Sequence, residues 1–285
     1  MSLRVAFLAN RRFEFQVPQR TPWAESAWFP VVDDWGPEIA SASKFQPDVT
    51  FVFEPLSRGG RRVNQIPGIK VGIVTQQPSQ AELAEAVRRH RTGAGTLHWF
   101  TWFEEPPPAA KDLPLLGLVA ATLDAQRLPF PPSLDRADVA IPAWAKPAGL
   151  PVSAKLLPAN DDRRNLEEAL SPFGILLYHS EAPLRLNDPV LLFALGLGQL
   201  LISNQPFPAE CGLEQEDEYL VRPVKEWARI VEKEREGLGS LRAVRVRAFQ
   251  KVRELFDASL VFRRLAHDAL LLRNGGRTSP TRWPW

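Results

Sequence analysis

Residues 174–221 read GILLYHSEAPLRLNDPVLLFALGLGQLLISNQPFPAECGLEQEDEYLV. The hydrophobic period changes along this stretch in a fixed order. Residues 174–178 (GILLY) are a short unbroken apolar run, as expected of a parallel strand buried on both faces. A polar loop follows. Residues 188–197 (DPVLLFALGL) then read as a helix, with Pro189 in the first turn and Gly198 at the C-terminal end. Residues 199–203 (QLLIS) form the next strand and residues 218–221 (EYLV) a short third. Strand, helix, strand with short joins is a βαβ unit, and such units build parallel sheets.

The same grammar extends toward both termini. Residues 3–9 (LRVAFLA), 48–53 (DVTFVF) and 70–75 (KVGIVT) read as buried strands, and residues 96–103 (TLHWFTWF) as an aromatic one. Residues 36–44 (GPEIASASK) read as a short helix with proline in its first turn. Residues 80–91 (QAELAEAVRRHR) read as an amphipathic helix behind the N-cap Ser79. Residues 104–151 are dense in proline, which disfavours long helices and suggests a linker. Within that linker, residues 137–141 (ADVAI) read as the first strand of a second domain. Further helices are expected over 162–170, 224–236, 240–256 and 259–273. The fold class is therefore α/β: two Rossmann-like doubly wound domains facing a cleft. Residues 1–135 form the first domain, 136–265 the second, and 266–285 a helix end and tail. Ligands of open α/β sheets sit beyond the carboxyl ends of the strands, which places the expected site in that cleft.

Composition narrows the function. The chain has 285 residues, 45% apolar and 24% charged, enough for two packed cores and too apolar for global disorder. Lysine and arginine number 35 against 33 acidic residues, a net charge of +2. That balance argues against a polycation built to coat nucleic acid. The arginine-rich segment 242–253 keeps a nucleic-acid reading open, but acidic residues such as Glu232, Glu236 and Glu254 interleave with it, so a solvated face is favoured. The single cysteine, Cys211, excludes an intramolecular disulfide and a multi-cysteine zinc site. His90, His98, His179 and His267 have no metal-ligand spacing, so no metal is expected. No run approaches the ~18 apolar residues of a membrane span. The first apolar run precedes its arginines, the reverse of a secretory signal, so a cytoplasmic location is expected.

The 174–221 grammar resembles the nucleotide-sugar-binding half of GT-B glycosyltransferases. Its nearest likeness is to the CgeB-like (spore-maturation) group and the group 1 glycosyltransferases. In that group a serine-bearing loop leads into a helix ending in an E-A-x-A-C-G turn. Phe193-Ala194-Leu195-Gly196-Leu197-Gly198 stands in that place here. Leu200-Leu201-Ile202-Ser203 stands for the following strand, and Gly212-Leu213-Glu214 for its Gly-Leu-Glu segment. Residues 245–270 resemble the closing helices, and Pro47-Asp48-Val49 resembles a strand start in the acceptor domain. The likeness spans most of the chain in layout and residues 174–265 in sequence. It implies a metal-independent transfer of sugar from a nucleotide-diphosphate sugar to an acceptor, with no cofactor beyond the donor itself. One departure stands out. Enzymes of this kind often carry two glutamates eight positions apart, the second holding the ribose. Arg185 and Phe193 occupy those places, and neither side chain accepts a hydroxyl hydrogen bond. A catalytically inactive binding or assembly protein is the alternative reading.

Candidate residues follow from strand ends. The diphosphate is expected against the loop His179-Ser180-Glu181-Ala182-Pro183-Leu184-Arg185, with Ser180 and Arg185 donating and His179 and Asn187 beside them. Ser203 and Glu214 complete the donor side. Asp188 would oppose a phosphate and reads better as an N-cap. The general base of an inverting transfer is expected from the first domain: Glu54, directly after a strand, or His98, with Asp33 and Asp34 as weaker options. Lys146 and Lys155, and the basic loop of residues 57–62, read as solvated decoration. Trp23, Trp28 and Trp35 are sugar-stacking candidates, with ordinary packing as the default.

Overall fold

In the computed structural model the described residues are 2–32, 35–53, 59–73, 81, 84, 85, 88, 97–101, 115–118, 122–129, 132, 134–150, 152–157, 166–185, 188–237 and 241–274. The chain divides into two compact units. One comprises residues 1–122 and 258–285, the other residues 123–257.

The first unit carries a six-stranded sheet. Its strands are β1 (Arg4–Asn10), β2 (Glu25–Val31), β3 (Val49–Phe53), β4 (Ile69–Ile73), β5 (Leu97–Thr101) and β6 (Leu115–Leu118). The order is β2-β1-β3-β4-β5-β6, parallel throughout. Period-two alternation sends Val5, Phe7, Val49 and Phe51 to one face and Ala6, Leu8 and Val52 to the other. Helix α1 (Gly36–Phe45) covers the second face through Ile39 and Ala42. The first face is covered by the last helix of the chain, Ala258–Arg273, through Val261, Phe262 and Leu265. Phe262 meets Phe7 edge-on at 5.1 Å and Phe51 at 4.7 Å between ring centroids.

The second unit carries β7 (Val139–Pro142), β8 (Lys155–Leu157), β9 (Ile175–Tyr178), β10 (Leu200–Ser203) and β11 (Leu220–Val221) in the order β11-β10-β9-β7-β8, again all parallel. Its helices are α2 (Leu166–Leu170), α3 (Pro189–Gly196), α4 (Trp227–Arg235) and α5 (Arg242–Leu255); the helix 258–273 is α6. Trp227, Ile230, Val231 and Val244 pack on one face of the sheet. Every residue of α3 is buried. A helix with no polar stripe belongs inside a fold, and each fully buried leucine contributes roughly 1.5–3 kcal/mol. Gly174 opens β9 where a Cβ would overlap the Arg136 carbonyl, so only glycine lets the two backbones approach.

Both sheets repeat one topology. The second strand pairs outside the first, and the third returns to the first strand's other side. That is the doubly wound order with its switch point between the first and third strands. The expected α/β class and its strand–helix alternation are those of the structure. The divisions differ. The units part after Thr122 and again after Asp257, residues 135 and 265 being the expected divisions. Leu123 donates to the Phe256 carbonyl at 2.9 Å, so the two ends of the second unit lie side by side. Residues 25–31, to which the apolar pattern assigns no element, form β2. Most of the expected helix 80–91 and the tail 275–285 lie outside the described residues.

Candidate functional site

In the second unit the switch point lies between β7 and β9, and their carboxyl ends define the candidate site. The short turn Ala143–Ala145 follows β7, and His179 N–H donates to the Ala145 carbonyl at 2.9 Å. The loop after β9 is tied to the loop after β10 by a two-way pair. Ser180 N–H donates to Asn204 Oδ1 at 2.8 Å, and Asn204 Nδ2 donates to the Ser180 carbonyl at 2.8 Å. Leu184 N–H donates to the Pro206 carbonyl at 2.9 Å, adding a further tie between the same two loops.

The start of α3 is closed by side chains. Asp188 Oδ1 accepts from Val190 N–H at 2.9 Å, and Asp188 Oδ2 accepts from the Tyr178 hydroxyl at 2.6 Å. This is the N-cap expected from the sequence. A carboxylate at that end, with Pro189 lacking an N–H, leaves little there for a phosphate. Tyr178 is half-buried, and burial first, then the Asp188 charge, push its hydroxyl well above the usual phenol range. Trp144 lies beside that hydroxyl and acts weakly in the opposite direction.

The structure places the sequence-derived donor residues as follows. His179 and Ser180 stand half-buried at the end of β9, with Arg185 exposed in the same loop. Ser180 Oγ accepts from Ala182 N–H at 3.2 Å. Ser203 is fully buried and occupied locally, donating to the Gln205 carbonyl at 2.9 Å and accepting from Gln205 N–H at 3.0 Å. Glu214 is exposed, while the buried carboxylate of that turn is Glu218, which accepts from Glu214 N–H at 2.6 Å. Burial pushes the Glu218 carboxyl above the usual range. Phe193 lies within the buried face of α3 at 3% exposure. Asn187 and Glu54 lie outside the described residues, as do Asp33 and Asp34; His98 lies on β5, and its side chain is outside them too.

Other expectations resolve into packing. Trp35 sits in the α1 core, Trp28 lies on β2, and Trp23 donates to Ser259 Oγ at 3.2 Å. Lys146 and Lys155 are exposed. The arginine-rich segment is not wholly a solvated face. Arg245 is 1% exposed and donates to the carbonyls of Gly198 (2.8 Å), Leu134 (2.9 Å) and Arg136 (3.2 Å). Arg253 donates to the Ala125 carbonyl at 2.6 Å. The cue in the sequence is position: both arginines fall on the apolar stripe of α5, where a charged group must find partners. Among the described residues no group of three or more His, Cys, Asp or Glu is placed to hold a metal. No helix among them is long and apolar enough to cross a membrane.

A cavity of about 470 Å³ opens elsewhere in the second unit, along β11, α4 and α5. Its three arginines already face carboxylates, Arg222 with Glu216, Arg229 with Glu226 and Arg247 with Asp217; Lys233 lines it as well. The switch point, not this cavity, is where the fold presents free loop ends, so the site is assigned there.

No family model matches the chain, and no curated protein matches it in sequence. Solved structures match in fold. Anabaena HepE in complex with UDP and glucose aligns with a TM-score of 0.54 at 12% identity, over 93% of this chain and 98% of that one. HepE in complex with UDP-glucose aligns with a TM-score of 0.54 at 12% identity, over 94% and 99%. Sucrose-phosphate synthase from Thermosynechococcus elongatus aligns with a TM-score of 0.50 at 10% identity, over 95% and 100%. At these identities the likeness shows the fold: two parallel-sheet α/β units, as in GT-B glycosyltransferase structures.

Proposed function

We propose that the chain is a metal-independent glycosyltransferase that moves a sugar from a nucleotide-diphosphate sugar to an acceptor. The observation that carries this reading is the end-to-end fold likeness to structures holding UDP, glucose and UDP-glucose. The second unit takes the donor and the first unit the acceptor. In the donor site the ordered loop 179–185 offers the Ser180 hydroxyl, the His179 imidazole and the Arg185 guanidinium to a diphosphate. Such groups offset the charge that grows on the leaving group as the glycosidic bond breaks. Asn187, two residues further along the sequence, is a further candidate. Ser203 and Glu214 act as supports, Ser203 through its bonds to Gln205 and Glu214 through its turn. Glu54 after β3 and His98 on β5 are the general-base candidates of the acceptor unit. Two parallel-sheet units are hosts to many chemistries, so the ligand test decides.

Thermal shifts against UDP, GDP, TDP, CMP and ADP, with and without magnesium, make that test. A ligand that binds only the folded state at ~100 times its dissociation constant adds ~2.7 kcal/mol. The expected result is one metal-independent shift, diminished in Arg185→Ala. No shift with any nucleotide overturns the proposal.

The buried Phe193 favours a second reading, a GT-B-like protein that binds without catalysis. It supplies no ribose-holding carboxylate from α3. Nucleotide-sugar binding with no release of sugar over long incubation would support that reading.

A further inference from the structure

Trp144 stands two residues beyond the Pro142 end of β7, at the switch point, and is 50% exposed. Among the described residues it is the one aromatic in the group of strongly exposed large apolar side chains. An indole left open costs solvation free energy, roughly in proportion to its apolar area. This one is also held. Tyr178, whose hydroxyl lies beside it at the end of the neighbouring strand β9, is fixed by a 2.6 Å bond to Asp188. Asp188 in turn caps α3 through Val190 N–H at 2.9 Å. The backbone beside the indole is pinned as well, since the Ala145 carbonyl accepts from His179 N–H at 2.9 Å. An exposed flat ring on a pinned backbone, beside a tyrosine that is itself fixed, is preorganised to take another flat ring.

We infer that Trp144 is the stacking platform for the nucleobase of the donor, and that Tyr178 and Asp188 position it. This rests on the nucleotide-sugar reading of the second unit. A planar base matches the indole face, and every base has a π-face to offer, so the platform sets affinity and leaves base identity to hydrogen bonds elsewhere. The polar groups of loop 179–185, which begins at Tyr178's chain neighbour His179, then fall to the phosphates. The closed N-terminus of α3 is consistent with this division, because Asp188 serves the Tyr178 hydroxyl and Val190 N–H and not the anion.

Calorimetric titration of the whole protein with UDP, UDP-glucose, uridine and inorganic pyrophosphate tests the inference. Trp144→Ala should weaken UDP and uridine about 5- to 150-fold and leave pyrophosphate unchanged. Trp144→Phe should keep most of the affinity. Tyr178→Phe should weaken UDP and uridine by less than Trp144→Ala, again sparing pyrophosphate. That split separates positioning from a general loss of structure, and an unchanged melting temperature of Trp144→Ala confirms that the fold is intact. Undiminished UDP binding by Trp144→Ala overturns the platform while the donor site stands. So does a loss confined to UDP-glucose, which would put the sugar on the indole. A wild-type protein that binds no nucleotide of the panel overturns both readings together.

Discussion

The Asn204 side chain and the Ser180 peptide exchange two hydrogen bonds of 2.8 Å each. The carboxamide mimics a strand partner, pairing with the backbone where β9 has already ended. It fixes the loop that carries the diphosphate-binding candidates before any ligand arrives. Asn204→Ala should lower stability by ~1–3 kcal/mol, the cost of leaving part-buried backbone groups unpaired. It should also weaken nucleotide binding. Urea unfolding and calorimetry measure the two effects. Unchanged stability would mean that the clamp is replaced by water.

Arg245 predicts the largest single loss in the second unit. Its guanidinium serves the carbonyls of Gly198, Leu134 and Arg136, with Glu234 at 3.3 Å. Burial lowers its pKa against the pull of Glu234. Arg245→Met fills similar volume and orphans those acceptors. It should destabilise by ~3–5 kcal/mol, as breaking one side of a buried pair does. A shift in urea midpoint without a change in slope is the expected signature.

Gly174 gives a steric prediction. A Cβ there meets the Arg136 carbonyl, which is backbone and cannot swing away. Gly174→Ala should cost about 1–3 kcal/mol or more, as overpacking does. Thermal unfolding reads it directly. A neutral substitution would show that the start of β9 has room the structure does not display.

Glu218 gives a pH prediction. Burial raises its folded-state carboxyl pKa above the ordinary value of 4.5. The protonated form is therefore favoured in the folded state. The stability linked to that proton is complete below the unfolded value and is lost as pH rises through the folded one. Glu218→Gln removes the titration and keeps an acceptor for Glu214 N–H. The melting temperature of the wild-type protein should fall relative to Glu218→Gln as pH climbs above about 4.5. Parallel profiles for the two proteins would contradict the assignment.

The sequence by itself determined the elements whose burial is complete. Residues 3–9, 48–53, 174–178 and 199–203 are apolar on both faces because parallel strands are covered on both sides, and each is a strand in the structure. Helix α3 was legible from Asp188, Pro189 and its unbroken apolar run, and its cap is the one read from the sequence. The edge strand β2 was not legible, because an edge pairs on one side only, tolerates Pro30 and is only partly buried. Only the tertiary structure decided where α6 belongs. Its apolar stripe fits any sheet face, and the choice of the first unit rests on Phe262 packing against the stacked pair Phe7 and Phe51. The same holds for the site. Spacing located the loop after β9 and the Asp188 cap, but only the tertiary structure revealed that Ser203 is taken up by Gln205, that Asn204 clamps the Ser180 peptide, and that Tyr178 meets Asp188 with Trp144 alongside. Residues far apart in sequence meet through the parallel register, and hydrophobic period carries no record of that register between non-adjacent strands.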